Sequence, residues 1–102
     1  MNHLNSVLVE GFIVENPEYS EGEKLCTFKI ESYRYVRVNG EIVKKVNVFS
    51  VIVPGKIGEE CATKKKGTCL RIVGRLDAAE GNAVTIEAES IEYKPAMSGK
   101  GA

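Results

Sequence analysis

The dipeptide Asn39-Gly40 limits the possible folds of this 102-residue chain more than any other feature. Both residue types tolerate positive φ, and Asn-Gly between two β-forming runs is the strongest short signal for a tight hairpin. The run before it, "LCTFKIESYRYVRV", alternates between apolar and polar side chains, and "EIVKKVNVFSVIVP" follows as the return strand. The sequence therefore predicts a long antiparallel hairpin with one half-buried face.

Three further strands are predicted outside this hairpin. "LNSVLVEGFIVE" is interrupted by Gly11, which indicates a bend or bulge. "TCLRIVGRLDAA" and "AVTIEAESIEY" flank a turn at 80–82. The side chains expected to face the core are Val7, Val9, Ile13, Cys26, Phe28, Ile30, Leu70, Ile72, Gly74, Leu76, Val84, Ile86 and Ala88. "GKIGEECATKKKG" is the one predicted helix, and it is short because Gly58 lies within it.

The predicted order is β-β-β-α-β-β. This is the order of an all-β, five-stranded OB-fold Greek-key barrel with one short helix between strands 3 and 4. We expect one domain over residues 1–94. The last residues, 95–102, have no periodicity and are expected to be a disordered tail.

Charge and composition favour a binding module over an enzyme. The chain has 14 basic and 14 acidic residues, so any nucleic-acid surface must segregate charge onto one face. His3 is the only histidine, and no Cys/His spacing suits zinc, so no catalytic residue, cofactor or metal is expected. Three cysteines without C-x-x-C spacing indicate free thiols and a cytoplasmic location, and no apolar run approaches the roughly 20 residues of a membrane span.

Four motifs follow one another along the chain: "NSVLVEGFIVENPE" from Asn5 to Glu18, "CTFKIESYR", "VNGE", and "VFSVIVPGKIGEECATKKKGTCLRIVGRL". In this order they resemble the bacterial single-stranded-DNA-binding protein (SSB) family. The resemblance covers roughly residues 5 to 93. It implies sequence-tolerant binding of single-stranded DNA in replication, recombination or repair, at the nucleoid. It also implies self-association as a homotetramer, or a dimer, with Asn5 to Val9 at a subunit contact.

The chain departs from the family in two ways. It has no tryptophan, although the family places aromatic residues at several stacking positions, one of which aligns with Val48. It also lacks the family's acidic tail, so recruitment of replication or repair proteins by that route is not expected. A short, tail-less paralogue fits these departures. The alternative is a PriB-like primosomal OB module that acts mainly through protein–protein contacts.

The expected DNA-binding residues lie on the hairpin and on the fourth predicted strand. They are Tyr33, Arg34, Tyr35, Arg37, Lys44, Lys45, Val48, Arg71 and Arg75. The tyrosines either stack on bases or cover a neighbouring subunit. Cations on the hairpin either contact phosphate or are solvated, and the two β-strand arginines either contact phosphate or pair with Glu87 and Glu89. Lys64-Lys65-Lys66 is interpreted as a solvated turn outside the core site, and Phe49 as a core or subunit-interface residue.

Overall fold

A computed structural model describes residues 2–78 and 83–94 of the chain. The elements in chain order are β1 (Val7–Ile13), β2 (Glu18–Ser20), β3 (Leu25–Val38), β4 (Glu41–Pro54), α1 (Gly55–Cys61), β5 (Cys69–Ala78) and β6 (Val84–Tyr93). The predicted turn at 80–82 and the predicted tail at 95–102 lie outside the described residues.

The strands form one sheet that closes on itself. Their order is β1-β5-β6-β4-β3, and β1 also pairs with β3, so the two ends of the row meet. The β4–β6 pair is parallel, whereas β1–β3, β1–β5, β3–β4 and β5–β6 are antiparallel. The result is a five-stranded OB barrel with α1 between its third and fourth strands, which confirms the predicted fold class. The short β2 is an addition, since it pairs with the start of β3 where only a turn was predicted.

Alternating side chains from the barrel strands fill one core. Its fully buried members include Ile13, Cys26, Ile30, Val51, Val53, Cys61, Leu70 and Ile72. In the middle of β3, β5 and β6, the alternate side chains predicted to face the core do face it. The prediction is wrong for Leu76 and Val84, which are 48% and 57% exposed. Both lie at the distal end of the β5–β6 hairpin, where the strands continue past the part of the sheet that encloses the core.

The barrel closes at Gly11, where β1 has a neighbour on each side. Gly11 lies opposite Leu70 of β5, and the next residue, Phe12, lies opposite Glu31 of β3. A methyl group at Gly11 would lie 2.1 Å from the carbonyl oxygen of Glu31. Only glycine lets the two backbones approach this closely, so the predicted bend at Gly11 is where the sheet curls shut.

The helix is short, as predicted, and it covers one end of the core. Cys61 is buried, while Ile57 and Ala62 pack against the core from partly exposed positions. Gly58 faces the preceding strand, because a methyl group there would lie 2.1 Å from the carbonyl oxygen of Val53. The same residue that keeps the helix short therefore lets it pack closely against the barrel.

We expect Gly11→Ala to lower the free energy of unfolding by about 1–3 kcal/mol, because the added methyl group overlaps the β3 backbone. Urea unfolding at a fixed protein concentration measures this. Gly22→Ala is the matched control, since no atom lies within 4 Å of the position its methyl group would take. Its stability should stay level or rise by about 0.4–1 kcal/mol. Equal losses in both variants would contradict the closure mechanism.

Two buried thiols give the fold a pH dependence at the alkaline end. Burial raises the pKa of Cys26 from its ordinary value of 9.0 to about 12, and the adjacent Cys61 adds to the shift. Burial also raises the pKa of Cys61. A raised thiol pKa means that the folded state holds its proton longer than the unfolded chain does. The associated stability is complete below about pH 9 and is lost as the pH rises through the folded value.

We therefore expect the urea midpoint of the wild-type chain to fall between about pH 8 and about pH 10.5. Cys26→Val keeps an apolar side chain of similar size but removes this titration, so its midpoint should fall less over the same interval. Tyr19 and Tyr93, whose pKa values are also raised mainly by burial, are present in both proteins and contribute to the fall in each. Identical falls in the two proteins would refute the assignment to Cys26.

Candidate nucleic-acid interface

The β3–β4 hairpin is longer than the barrel requires. Each strand has 14 residues, and the turn has φ values of 52° at Asn39 and 82° at Gly40. These positive values confirm the predicted Asn-Gly turn. The core uses only the ends of the strands that are far from the turn, with buried positions at Cys26–Ile30 and Val51–Val53. The remainder is a largely exposed arm at residues 31–48.

Several of the predicted residues lie together on the outer side of this arm because of the β3–β4 register. Tyr33 lies opposite Val46, Tyr35 opposite Lys44, and Arg37 opposite Ile42. Directly opposed residues of an antiparallel pair point to the same side of the sheet. We call this surface the hairpin face, and its members are Glu31, Tyr33, Tyr35, Arg37, Ile42, Lys44, Val46 and Val48.

The two tyrosines form the aromatic part of the hairpin face. Their rings are 5.9 Å apart between centroids and nearly perpendicular, at 79°. Tyr33 is 43% exposed and Tyr35 is 64% exposed. The Lys44 ammonium lies 4.3 Å from the centre of the Tyr33 ring. An exposed cation–π contact is worth about 0.5–1 kcal/mol, whereas a base stacked on an aromatic ring is worth about 1–3 kcal/mol. A base can therefore displace Lys44 from the ring at a net gain.

Arg34 and Lys45 lie on the other side of the same arm. They are directly opposite each other in the β3–β4 register, and both are exposed. Two like charges in this relation repel, and neither forms a salt bridge within residues 2–78 and 83–94. A phosphate between them would relieve the repulsion. The arm therefore carries cations on both sides, with its aromatic rings on the hairpin face.

The two β5 arginines, Arg71 and Arg75, are ion-paired. Arg71 lies 3.3 Å from a carboxylate oxygen of Glu10 and 3.3 Å from one of Glu92. Both partners are its direct cross-strand neighbours, on β1 and β6. The Lys94 ammonium also bonds to Glu10 and is the main reason that the pKa of this carboxyl lies below its usual value.

Arg75 pairs with one of the carboxylates that the sequence suggested. Its Nε donates a hydrogen bond of 2.9 Å to Glu89, and this bond holds the pKa of Arg75 above its ordinary value. Each cation on this side of the barrel thus has a nearby carboxylate. The four basic residues of the arm have no salt bridge to a described residue, which favours the hairpin over β5 as the place where a phosphate would bind.

A cavity of about 370 Å³ continues the hairpin face onto the barrel. Its lining includes Thr27, Lys29, Ser50 and Ile52 from the outer side of β3 and β4, with Thr85 from β6. Glu15 and Asn16 border it from the segment after β1, and Glu18 from the start of β2. OB folds bind their ligands on this face, between the loops that flank it. The cavity was not predicted from the sequence, because its lining comes from four separate segments of the chain.

Phe12 is a second feature that the sequence analysis missed. Its ring is 41% exposed on the outer side of β1, between the buried residues Gly11 and Ile13. It borders a cavity of about 250 Å³ together with Tyr33. The signal was present in the sequence, since Phe12 has the parity opposite to Ile13. That Phe12 lies near Tyr33 follows only from the pairing of β1 with β3 that closes the barrel.

Other kinds of site find little support in the described structure. Within residues 2–78 and 83–94, no group of three or more His, Cys, Asp or Glu side chains is arranged to hold a metal ion. In the same ranges the helix has seven residues, well short of the roughly 20 that cross a bilayer.

Comparisons with known proteins place this geometry in a structural class. No protein-family model matches the chain, and no curated protein matches it in sequence. Solved structures do match. A deletion mutant of the single-stranded DNA binding protein from Thermus aquaticus has a TM-score of 0.79 at 20% identity, over 92% of this chain and 52% of that one. This chain therefore spans about half the length of the Thermus protein.

Two further structures match over nearly their whole length. The small single-stranded DNA-binding protein from Streptomyces coelicolor has a TM-score of 0.74 at 16% identity, covering 92% of this chain and 96% of its own. The Plasmodium falciparum SSB, solved in complex with single-stranded DNA, has a TM-score of 0.79 at 17% identity, covering 93% and 98%. At these identities the likeness concerns the backbone. The chain has the OB fold in the form found in these single-stranded DNA-binding proteins.

Proposed function

We propose that this protein binds single-stranded DNA, with little dependence on sequence, along the hairpin face. The observation that carries the proposal is the exposed tyrosine pair beside Lys44 on the outer side of an OB barrel. The structural neighbours support it, because all three are single-stranded DNA-binding proteins by description and one is a complex with DNA. A role in replication, recombination or repair is the corresponding proposal for the cell.

Charge segregation makes the proposal compatible with a formal net charge of zero. The arm at 31–48 holds four basic residues and two acidic ones, Glu31 and Glu41, for a local charge of +2. The two arginines of β5 are matched by glutamates of β1 and β6. A DNA strand is therefore attracted to the arm without a basic field over the whole molecule.

The strength of binding depends mainly on how many rings meet bases. Two tyrosine stacks together contribute on the order of 2–6 kcal/mol. The chain has no tryptophan and has Val48 at one position where the family places an aromatic residue. We therefore propose weaker binding than that of a tryptophan-rich homologue, with phosphate contacts at Arg34, Arg37, Lys44 and Lys45 making up a larger share.

Self-association is part of the proposal. Only the end of β1 pairs with β3, beginning at Phe12 opposite Glu31, whereas β1 pairs with β5 from Val7 onward. Within the described residues, the first half of β1 therefore has one edge without a strand partner. Leu8 on this segment is 66% exposed. A second copy that covers this edge would give a dimer, and two dimers a homotetramer; mass measurement in solution tests this.

A second candidate function rests on the apolar residues of the hairpin face. Ile42, Val46 and Val48 are 67%, 47% and 53% exposed, and aliphatic side chains offer a base no π surface. Such a surface also suits a protein partner, as in a PriB-like primosomal module. This alternative predicts negligible affinity for oligo(dT) at low salt, where the first proposal predicts binding.

We expect Tyr33→Ala combined with Tyr35→Ala to weaken oligo(dT) binding by at least about 30-fold, because two stacks are lost. Fluorescence anisotropy with a labelled oligonucleotide measures the affinity. The control replaces both tyrosines by phenylalanine, which keeps the π faces and should keep most of the affinity. Thermal stability of the alanine pair should change little, since both rings are exposed. Undiminished affinity in that variant would exclude stacking at these two positions.

The salt dependence of binding distinguishes the hairpin cations from the ion-paired arginines. Lys44→Ala should reduce the slope of log affinity against log salt by about 1, because one phosphate contact is lost. Arg71→Ala should reduce it less, since Arg71 is held by Glu10 and Glu92. A larger effect from Arg71→Ala than from Lys44→Ala would move the phosphate path from the hairpin to β5.

A further inference from the structure

We propose that Phe12 is a third base-stacking platform, which extends the DNA track from the hairpin face across β1 to the turn that follows α1. The inference rests on the proposed function and adds a binding residue and a direction to it. It comes from the way β1 joins β3, and it concerns a residue of a strand that had no expected role in DNA contact.

The orientation of Phe12 is fixed by its neighbours in β1. Gly11 and Ile13 are buried on the inner side, so the ring between them must point outward. Phe28 shows the contrast, since that core phenylalanine is only 7% exposed whereas Phe12 is 41% exposed. A phenyl ring has no polar atom that benefits from water, so an exposed one is a surface available for a flat apolar ligand.

Barrel closure brings this ring into line with the tyrosines. Phe12 lies opposite Glu31 in the β1–β3 register, and Tyr33 follows Glu31 by two residues on the same side of β3. Phe12 and Tyr33 border one cavity of about 250 Å³. The rings of Phe12, Tyr33 and Tyr35 thus follow one another along a single outer surface.

A second cavity lies on the far side of Phe12. It measures about 390 Å³, within the range of sites that accept small ligands, and Lys66 and Gly67 form part of its lining. The backbone N–H of Lys66 donates a hydrogen bond of 2.8 Å to the side-chain oxygen of Asn16, which ties this turn to the segment after β1. An exposed lysine is thereby held beside the cavity, where it can meet a phosphate.

Charge within the second cavity indicates how a nucleotide would lie there. Glu15 and Glu31 also line it and repel phosphate. The sugar–phosphate chain is therefore placed on the Lys66 side, with the base turned toward Phe12. The Lys64-Lys65-Lys66 run, interpreted from the sequence as a solvated turn, then contributes one of its lysines to the end of the track.

The direct test uses the absence of tryptophan from the chain. In Phe12→Trp, the introduced indole is the only one, and stacking on a base should quench its fluorescence when oligo(dT) saturates the protein. Glu59→Trp, on the exposed side of α1, is the matched control and should keep its fluorescence. Phe12→Leu should bind about 5-fold more weakly or worse, while Phe12→Tyr should bind like the wild-type chain.

The outcomes separate this inference from the proposed function. Failure of the wild-type chain to bind oligo(dT) at low salt overturns the function and the inference with it. Binding by the wild-type chain with no quenching in Phe12→Trp overturns the inference alone. Unchanged affinity of Phe12→Leu with a smaller assembly mass also overturns it, since Phe12 is then a subunit contact.

Discussion

The close contact of β1 with β3 at Gly11 is the constraint on which the rest of the structure depends. A methyl group at this position would lie 2.1 Å from the Glu31 carbonyl oxygen, so any side chain here would oppose closure of the sheet. Closure fixes the register in which Phe12 meets Glu31, and this register places an outward ring of β1 beside Tyr33. One missing Cβ therefore determines both the enclosure of the core and the continuity of the proposed track. The arrangement of the outward aromatic side chains therefore follows from the strand pairing that encloses the core.

Among the described residues, charged side chains are ion-paired on one side of the protein, on β1, β5 and β6, and lack ion-pair partners on the arm. On β1, β5 and β6, cross-strand neighbours of opposite sign neutralise each other, as Arg71 does with Glu10 and Glu92. On the arm, Arg34 faces Lys45 with no carboxylate between them. A chain of zero net charge can thus present a local site for an anion. Exposed ion pairs contribute little stability, so their more evident effect here is to offset the positive charge of Arg71, Arg75 and Lys94.

Local patterns in the sequence predicted most of the fold. Asn39-Gly40 specifies its turn through backbone preference alone, and alternation in β3 places Cys26, Phe28 and Ile30 inward whatever else surrounds them. Parity cannot show where a barrel ends, and for this reason Leu76 and Val84 were wrongly predicted to be core residues. The three-residue β2 was missed because so short a strand has no period of its own.

The candidate site was less predictable because it depends on register between distant segments. The sequence placed Tyr33, Tyr35 and Arg37 on one side of a strand, and the structure places Lys44 with them through cross-strand pairing. It left two roles open for Arg71, and the partners found, Glu10 and Glu92, belong to strands whose alignment no local pattern specifies. The cavity beside Thr27 and the position of Phe12 likewise arise only when the sheet has closed.

Mapping the contact surface by NMR tests the central claim most directly. Amide chemical shifts of the ¹⁵N-labelled protein would be followed as a short oligo(dT) is added at low salt. The account predicts the largest changes at residues 31–48, with a second group around Phe12, and small changes around Arg71 and Glu92. Changes concentrated on β5 and β6, or no changes at concentrations that saturate other OB-fold binders, would contradict it.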